Sequence, residues 1–176
     1  MFAGIVLTPR TIIDRLTDSI LKDLIDATSM SILWRKYWKM DSRDVHSIYP
    51  KLKDRSFCDN LVRNLTIGES LVLLVSGENI YDTLTEAKGK FQVVGCDNRK
   101  IGGLRLKYWP CRELVKAQIN HPANDLFFEY RVHTTDSLEE TINLLAICMD
   151  DRDIEELCTI APGLYSEVKN KKALMI

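Results

Sequence analysis

His133 is the residue whose type and setting point most directly to chemistry, within "YRVHTTDSLEETINLL" at residues 130–145. It closes the stretch "LFFEYRVH", whose alternation puts Phe128, Tyr130 and Val132 on one face of a strand and Glu129, Arg131 and His133 on the other. Ser137 followed three residues later by Glu140 is a capping-box pattern, and Leu138, Ile142, Leu145 and Met149 continue at helical spacing, so a helix is expected to begin near Leu138. An imidazole held between a strand exit and a helix N-terminus can face a cleft where unpaired backbone N–H groups favour an anion, with phosphate the first candidate.

The elements that must position this histidine are legible upstream. "FAGIVLT" reads as a buried first strand, and "RTIIDRLTDSILKDLIDA" places Ile12, Ile13, Leu16, Ile20, Leu21, Leu24 and Ile25 at helical spacing, predicting one amphipathic helix. "SMSILWRKYWKM" is rich in strand formers, and its interleaved aromatics and cations read as an amphipathic strand rather than a nucleic-acid surface. "KLKDRSFCDNLVRNLT" has helical periodicity through Phe57, Leu61 and Leu65, "ESLVLLVSG" is a continuous apolar strand, and "ENIYDTLTEAKG" a short helix ended by Gly89. The order is that of an α+β ferredoxin-like sandwich, an antiparallel four-stranded sheet with helices packed on it. Residues 90–125 are the least regular part and read as an insertion, with "CRELVKAQIN" a possible short helix. The expected organisation is one domain over residues 1–150, then a C-terminal extension, 151–176, that wraps the domain or reaches a neighbour.

Composition narrows the function classes. In 176 residues, 24 basic side chains against 25 acidic ones give a formal charge of -1, so bulk attraction to nucleic acid or an anionic membrane is not expected and phosphate affinity must be local. The five cysteines are scattered and never spaced as a metal-binding pair, and the three histidines are remote from one another, so a resident metal is not expected. "MFAGIVLTPR" is too short an apolar run for a signal peptide, and no apolar run reaches membrane-spanning length. The reading is of a soluble, cytoplasmic protein with reduced thiols.

His133, Thr134, Thr135, Asp136 and Ser137 resemble the H-G-S-D-S signature of nucleoside diphosphate kinases, in which the histidine carries the phosphoryl group. "YPKLKDRSFCDNLVRNLTIGESLVLLVSGENI" is similar to that family's tyrosine, L-K-D-R, phenylalanine and G-x-N pattern, with Tyr49, Arg55, Phe57 and Asn79 on matching positions, and "GGLRLKY" is similar to its arginine-bearing loop. The resemblance implies double displacement through a phosphohistidine at His133. It further implies that Phe57 stacks on a base, that Arg55 and Arg105 contact phosphates, and that Tyr49 lines the pocket near the histidine. Thr135, Asp136 and Ser137 would support the site, Mg²⁺ would arrive on the phosphates of ATP or another nucleoside triphosphate, and a homo-oligomer is implied. An exposed edge at "SMSILWRKYWKM" and the rebuilt loop at 90–125 favour a dimer over a hexamer.

The chain also departs from that pattern. Thr8 stands where the family has a lysine that contacts the transferred phosphate, with Arg10 two residues on as a replacement cation. Thr85 takes the place of an arginine, with Lys88 one turn later; Tyr130 replaces an asparagine, and Leu144 a glutamate that orients the histidine. An alternative therefore stands beside phosphotransfer: a protein of the same fold that binds a nucleotide or a partner without turnover.

Overall fold

The computed structural model describes residues 1–50, 58–89, 92–94, 98–100, 103–108 and 131–175. Arg55, Phe57 and Tyr130, together with "CRELVKAQIN", lie outside the described residues. Strand β1 (Phe2–Leu7) is flanked by β3 (Ser70–Ser76) on one side and β6 (Val132–Thr134) on the other, and β2 (Ser31–Trp38) pairs with the far side of β3. The order β2-β3-β1-β6, antiparallel at each pairing, is the expected four-stranded sheet. A separate hairpin, β4 (Gln92–Val94) and β5 (Asn98–Lys100), lies in the segment read as irregular.

The central strands are apolar on both faces because both faces are covered. Ala3, Ile5 and Leu7 of β1 and Leu71, Leu73 and Val75 of β3 pack with Ile20 and Leu24 of α2 (Thr17–Thr28) and Ile80 and Leu84 of α5 (Ile80–Lys88). Val6, Val72 and Leu74 face the other way, onto α3 (Ser42–Ile48), α4 (Cys58–Thr66) and α7 (Leu138–Cys148). Helices α8 (Asp151–Ile160) and α9 (Pro162–Ala173) enlarge that second core with Ile154, Leu157, Leu164 and Val168. Their approach is fixed at β2, where Lys36 Nζ lies 2.7 Å from Asp150 Oδ2 and 2.6 Å from Asp153 Oδ2, and Trp34 Nε1 donates to Asp153 Oδ1 at 3.1 Å. Lys172 of α9 donates to the Met149 carbonyl. No described helix is long and apolar enough to cross a membrane.

The single helix expected over "RTIIDRLTDSILKDLIDA" is two, α1 (Pro9–Ile13) and α2. Arg15 takes a left-handed conformation at φ 56°, and the amides of Arg15 and Leu16 donate to the Ile12 and Thr11 carbonyls, closing α1 with a Schellman turn. The reason lies across the sheet. Asp14, which ends α1, pairs with the buried guanidinium of Arg131, whose Nη1 also donates to the Arg10 carbonyl at 2.7 Å. Helix α3, absent from the periodicity reading, is held by a reciprocal cap in which the Asp41 and Asp44 side chains each accept from the other's backbone amide.

Candidate functional site

His133 is the middle residue of β6, opposite Val6 of β1, so the strand ends one residue beyond it. Val132 points into the α2/α5 core, which turns His133 toward the face carrying α3 and α7. Tyr49, at the C-terminal cap of α3, meets it edge-on with ring centroids 4.6 Å apart and planes at 73°. The chain beyond His133 is pinned by hydroxyls: the Gly4 amide donates to Thr135 Oγ1 at 2.9 Å, Thr135 Oγ1 and Thr141 Oγ1 lie 2.8 Å apart, and Tyr81 Oη is 3.2 Å from Thr141 Oγ1. Ser137 caps α7 by accepting from the Glu140 amide at 3.2 Å, while the Glu140 carboxylate reaches back to the Asp136 amide at 2.9 Å. The second half of the expected capping box thus falls one residue earlier than the pattern implies.

The histidine is only half-buried as a residue, yet both of its ring nitrogens are shielded from solvent and have no hydrogen-bond partner among the described residues. Burial pushes its pKa down to about 3, the charges of Lys88 and Arg105 push in the same direction, and Asp136 opposes them. It is therefore neutral at physiological pH. Tyr49 Oη and Thr8 Oγ1 are also buried without partners among the described residues. Thr8 follows β1 two residues after Val6, on the side of the sheet that His133 faces. Burial raises the Tyr49 pKa well above its ordinary value, so its hydroxyl remains a donor. Buried polar atoms are normally paired, so the unpaired atoms of His133, Tyr49 and Thr8 single out this face of the sheet.

Two cations bear on this place. Arg105, on α6 (Gly103–Lys107), donates from Nη1 to the Gly89 carbonyl at 3.3 Å, beyond the end of α5. Gly103 makes that approach possible: φ is 59°, and a Cβ there would lie 2.4 Å from the Ala87 carbonyl oxygen. Lys88, the last residue of α5, is buried and donates to Thr134 Oγ1 at 2.6 Å and Asp136 Oδ1 at 2.9 Å. Its recurrence after Ile80 and Leu84 at intervals of four, on the buried stripe of α5, is the signal in the sequence that marks it as an interior lysine. Arg10 is placed elsewhere, exposed on α1 with Nε 3.7 Å from Asp14 Oδ2. Leu144 lies in the core with no exposure, its Cδ2 2.6 Å from where a Cβ on Gly4 would stand, so the position that could carry an orienting carboxylate is apolar packing. Among the described residues no group of three or more His, Cys, Asp or Glu side chains could hold a metal ion.

The four-stranded antiparallel sheet of βαββαβ order carries this histidine on its edge strand. The family profile described as nucleoside diphosphate kinase matches residues 3–154, and the chain belongs to the nucleoside diphosphate kinase family. Among solved structures it is similar to the nucleoside diphosphate kinase of Aquifex aeolicus, at 14% identity and TM-score 0.64, covering 86% of this chain and 96% of that one. It is also similar to a halophilic nucleoside diphosphate kinase from Halobacterium salinarum in complex with CDP, at 17% identity and TM-score 0.61, covering 87% of this chain and 90% of that one. The apo enzyme of Encephalitozoon cuniculi aligns at 13% identity and TM-score 0.61 over 85% and 89% of the two chains. At these identities the likeness is one of fold. No curated protein matches the chain in sequence.

Proposed function

We propose that this protein is a nucleotide-dependent phosphotransferase that carries the phosphoryl group on His133. The observation that supports this best is the buried, neutral imidazole with both nitrogens unpartnered among the described residues, in the field of the Lys88 and Arg105 charges. In the first half-reaction a ring nitrogen attacks the γ-phosphorus of a nucleoside triphosphate. The N–P bond forms as the P–O bond to the β-phosphate breaks, the electron pair leaves on the diphosphate, and the other ring nitrogen keeps its proton. A terminal oxygen of an incoming nucleoside diphosphate then reverses the step. Such a transition state disperses charge over the equatorial oxygens, so positioned cations do most of the protein's share of the work. In this reading Arg55, Phe57 and Tyr49 complete the nucleotide pocket, Thr135, Asp136 and Ser137 hold the histidine's loop, and Mg²⁺ enters as part of the Mg·nucleotide substrate. Strand β2 stands at one edge of the sheet, which supports a homodimer through that edge, and the rebuilt loop at 90–125 is what favours the dimer over a hexamer in this reading.

A second reading, nucleotide binding without turnover, is favoured by the same imidazole's lack of an orienting carboxylate: Leu144 offers none, and neither ring nitrogen has a partner among the described residues to set its tautomer. Incubation with Mg·ATP and GDP separates the two. Phosphotransfer is expected to yield GTP and ADP; ATP binding with no GTP formed would favour the second reading.

A further inference from the structure

The ring of His133 is not held by a hydrogen bond of its own. Both nitrogens are unpaired among the described residues, and Leu144 is apolar packing where a carboxylate could stand. The direction of the ring therefore depends on the edge-on contact with Tyr49 and on the backbone that carries it. That backbone is slight: β6 has three residues at the edge of the sheet and, among the described strands, pairs with β1 alone. So short an edge strand opens locally unless other contacts tie it down. Ties are found on both sides of the ring. Before it, the Arg131 carbonyl accepts from the Thr8 amide at 3.1 Å and from Thr11 Oγ1 at 2.7 Å. After it, Lys88 Nζ donates to Thr134 Oγ1 at 2.6 Å and to Asp136 Oδ1 at 2.9 Å, spanning the turn beyond the strand. Thr134 stands opposite Ile5, a residue of the α2/α5 core, so Lys88 grips the strand from the sheet face opposite His133.

We propose that Lys88 is a positioning residue: with Thr134 and Asp136 it forms a brace under the end of β6 that fixes the direction of the His133 ring. It acts through the peptide that joins His133 to Thr134, from the far side of the sheet. The consequence for catalysis rests on the phosphotransfer reading above. The ammonium is a firm anchor because the Lys88 side chain is 6% exposed, and a buried ammonium cannot give up its acceptors without a large desolvation cost. The hydroxyl it grips is present because threonine stands at the glycine of the H-G-S-D-S signature. Threonine is stiff at χ1, so a bond to its hydroxyl restrains the strand itself, whereas a glycine would give the lysine no side-chain acceptor and would leave the backbone freer. In this way a brace on the backbone stands in for a partner on the ring.

Two measurements on the full chain test this in Lys88→Met, Thr134→Val, their double variant and Thr134→Ser. One is the set of three-bond NMR couplings that report χ1 of His133 in the nucleotide-free protein. The other is the single-turnover rate of label transfer from Mg·ATP to His133, with the affinity for Mg·ATP measured alongside. The wild type is expected to show one χ1 rotamer. Lys88→Met and Thr134→Val are expected to show averaged couplings and labelling slowed by about 10- to 100-fold, the effect of a misplaced reacting group, with the affinity for Mg·ATP unchanged. Either change alone opens the brace, so the double variant is expected to match the slower single variant, and Thr134→Ser, which keeps the hydroxyl, to match the wild type. Thr134→Val leaves the ammonium its Asp136 partner and reports on the brace if Lys88→Met does not fold. A single rotamer retained in folded Thr134→Val would overturn the proposal, as would unchanged labelling in variants with averaged couplings. Affinity for Mg·ATP falling in step with labelling would also overturn it, by making Lys88 a ligand contact. If the wild type takes no label, the phosphotransfer reading fails while the couplings still decide the brace.

Discussion

A chain ending at Met149 is expected not to fold. Residues 151–173 form two helices whose Ile154, Leu157, Leu164 and Val168 are at most 6% exposed and belong to the same core as Val6, Val72, Leu74 and Leu145. Burying each such side chain contributes about 1.5–3 kcal/mol, so the helices together supply roughly 6–12 kcal/mol, comparable with the whole net stability of a domain. The truncated chain would also leave the Lys36 ammonium without Asp150 and Asp153 and the Trp34 indole N–H without its acceptor. Circular dichroism and thermal melting of the two chains are the measurement, with no cooperative transition expected for the shorter one. A melt within a few degrees of the full chain would show that these helices are an appendage.

The second large effect is on stability against pH. His133 has a folded-state pKa of about 3 against 6.5 for the free side chain, through burial first and the Lys88 and Arg105 charges second. The unfolded chain therefore binds a proton between these values that the folded chain refuses, and the sign follows: stability is fully present above about pH 6.5 and is lost as pH falls toward 3. At about 1.4 kcal/mol for each pH unit the loss is about 2 kcal/mol by pH 5 and on the order of 5 kcal/mol at its limit. Urea unfolding at pH 7, 6, 5 and 4 is expected to show a steeper decline for the wild type than for His133→Gln, by close to one proton. Parallel declines would mean that the imidazole is accessible and titrates normally.

What the sequence discloses and what it conceals divide along physical lines. Long apolar runs and sustained periodicity reveal β1, β2, β3, α5 and α7, because burial on one or both faces writes itself into composition. The break between α1 and α2 is invisible to that test: Ile12, Ile13 and Leu16 continue a helical stripe, and the left-handed turn at Arg15 accompanies Asp14 pairing with Arg131, more than a hundred residues away. Helix α3 is short and half polar, so its only local mark is the Asp41 and Asp44 cap. The β4/β5 hairpin is built from strands of three residues, below what alternation can resolve. At the site, the strand, the histidine and the Ser137 cap are readable locally. Lys88 is marked as interior by its place on the Ile80 and Leu84 stripe, and Tyr49 is placed near the histidine by the resemblance, but the edge-on ring contact and the partners of the buried ammonium come only from the docking of distant elements.

The central claim is that His133 is a covalent carrier of phosphoryl groups, and one measurement meets it directly. The purified full chain is incubated with Mg²⁺ and ATP labelled at the γ-phosphate, freed of nucleotide, and the retained label is tested in acid and in base, alongside His133→Ala of matching thermal stability. A phosphoramidate is expected, lost in acid, retained in base, returned to added nucleoside diphosphate, and absent from His133→Ala. A wild-type protein that binds Mg·ATP and retains no label, or a label that persists in His133→Ala, would contradict the account.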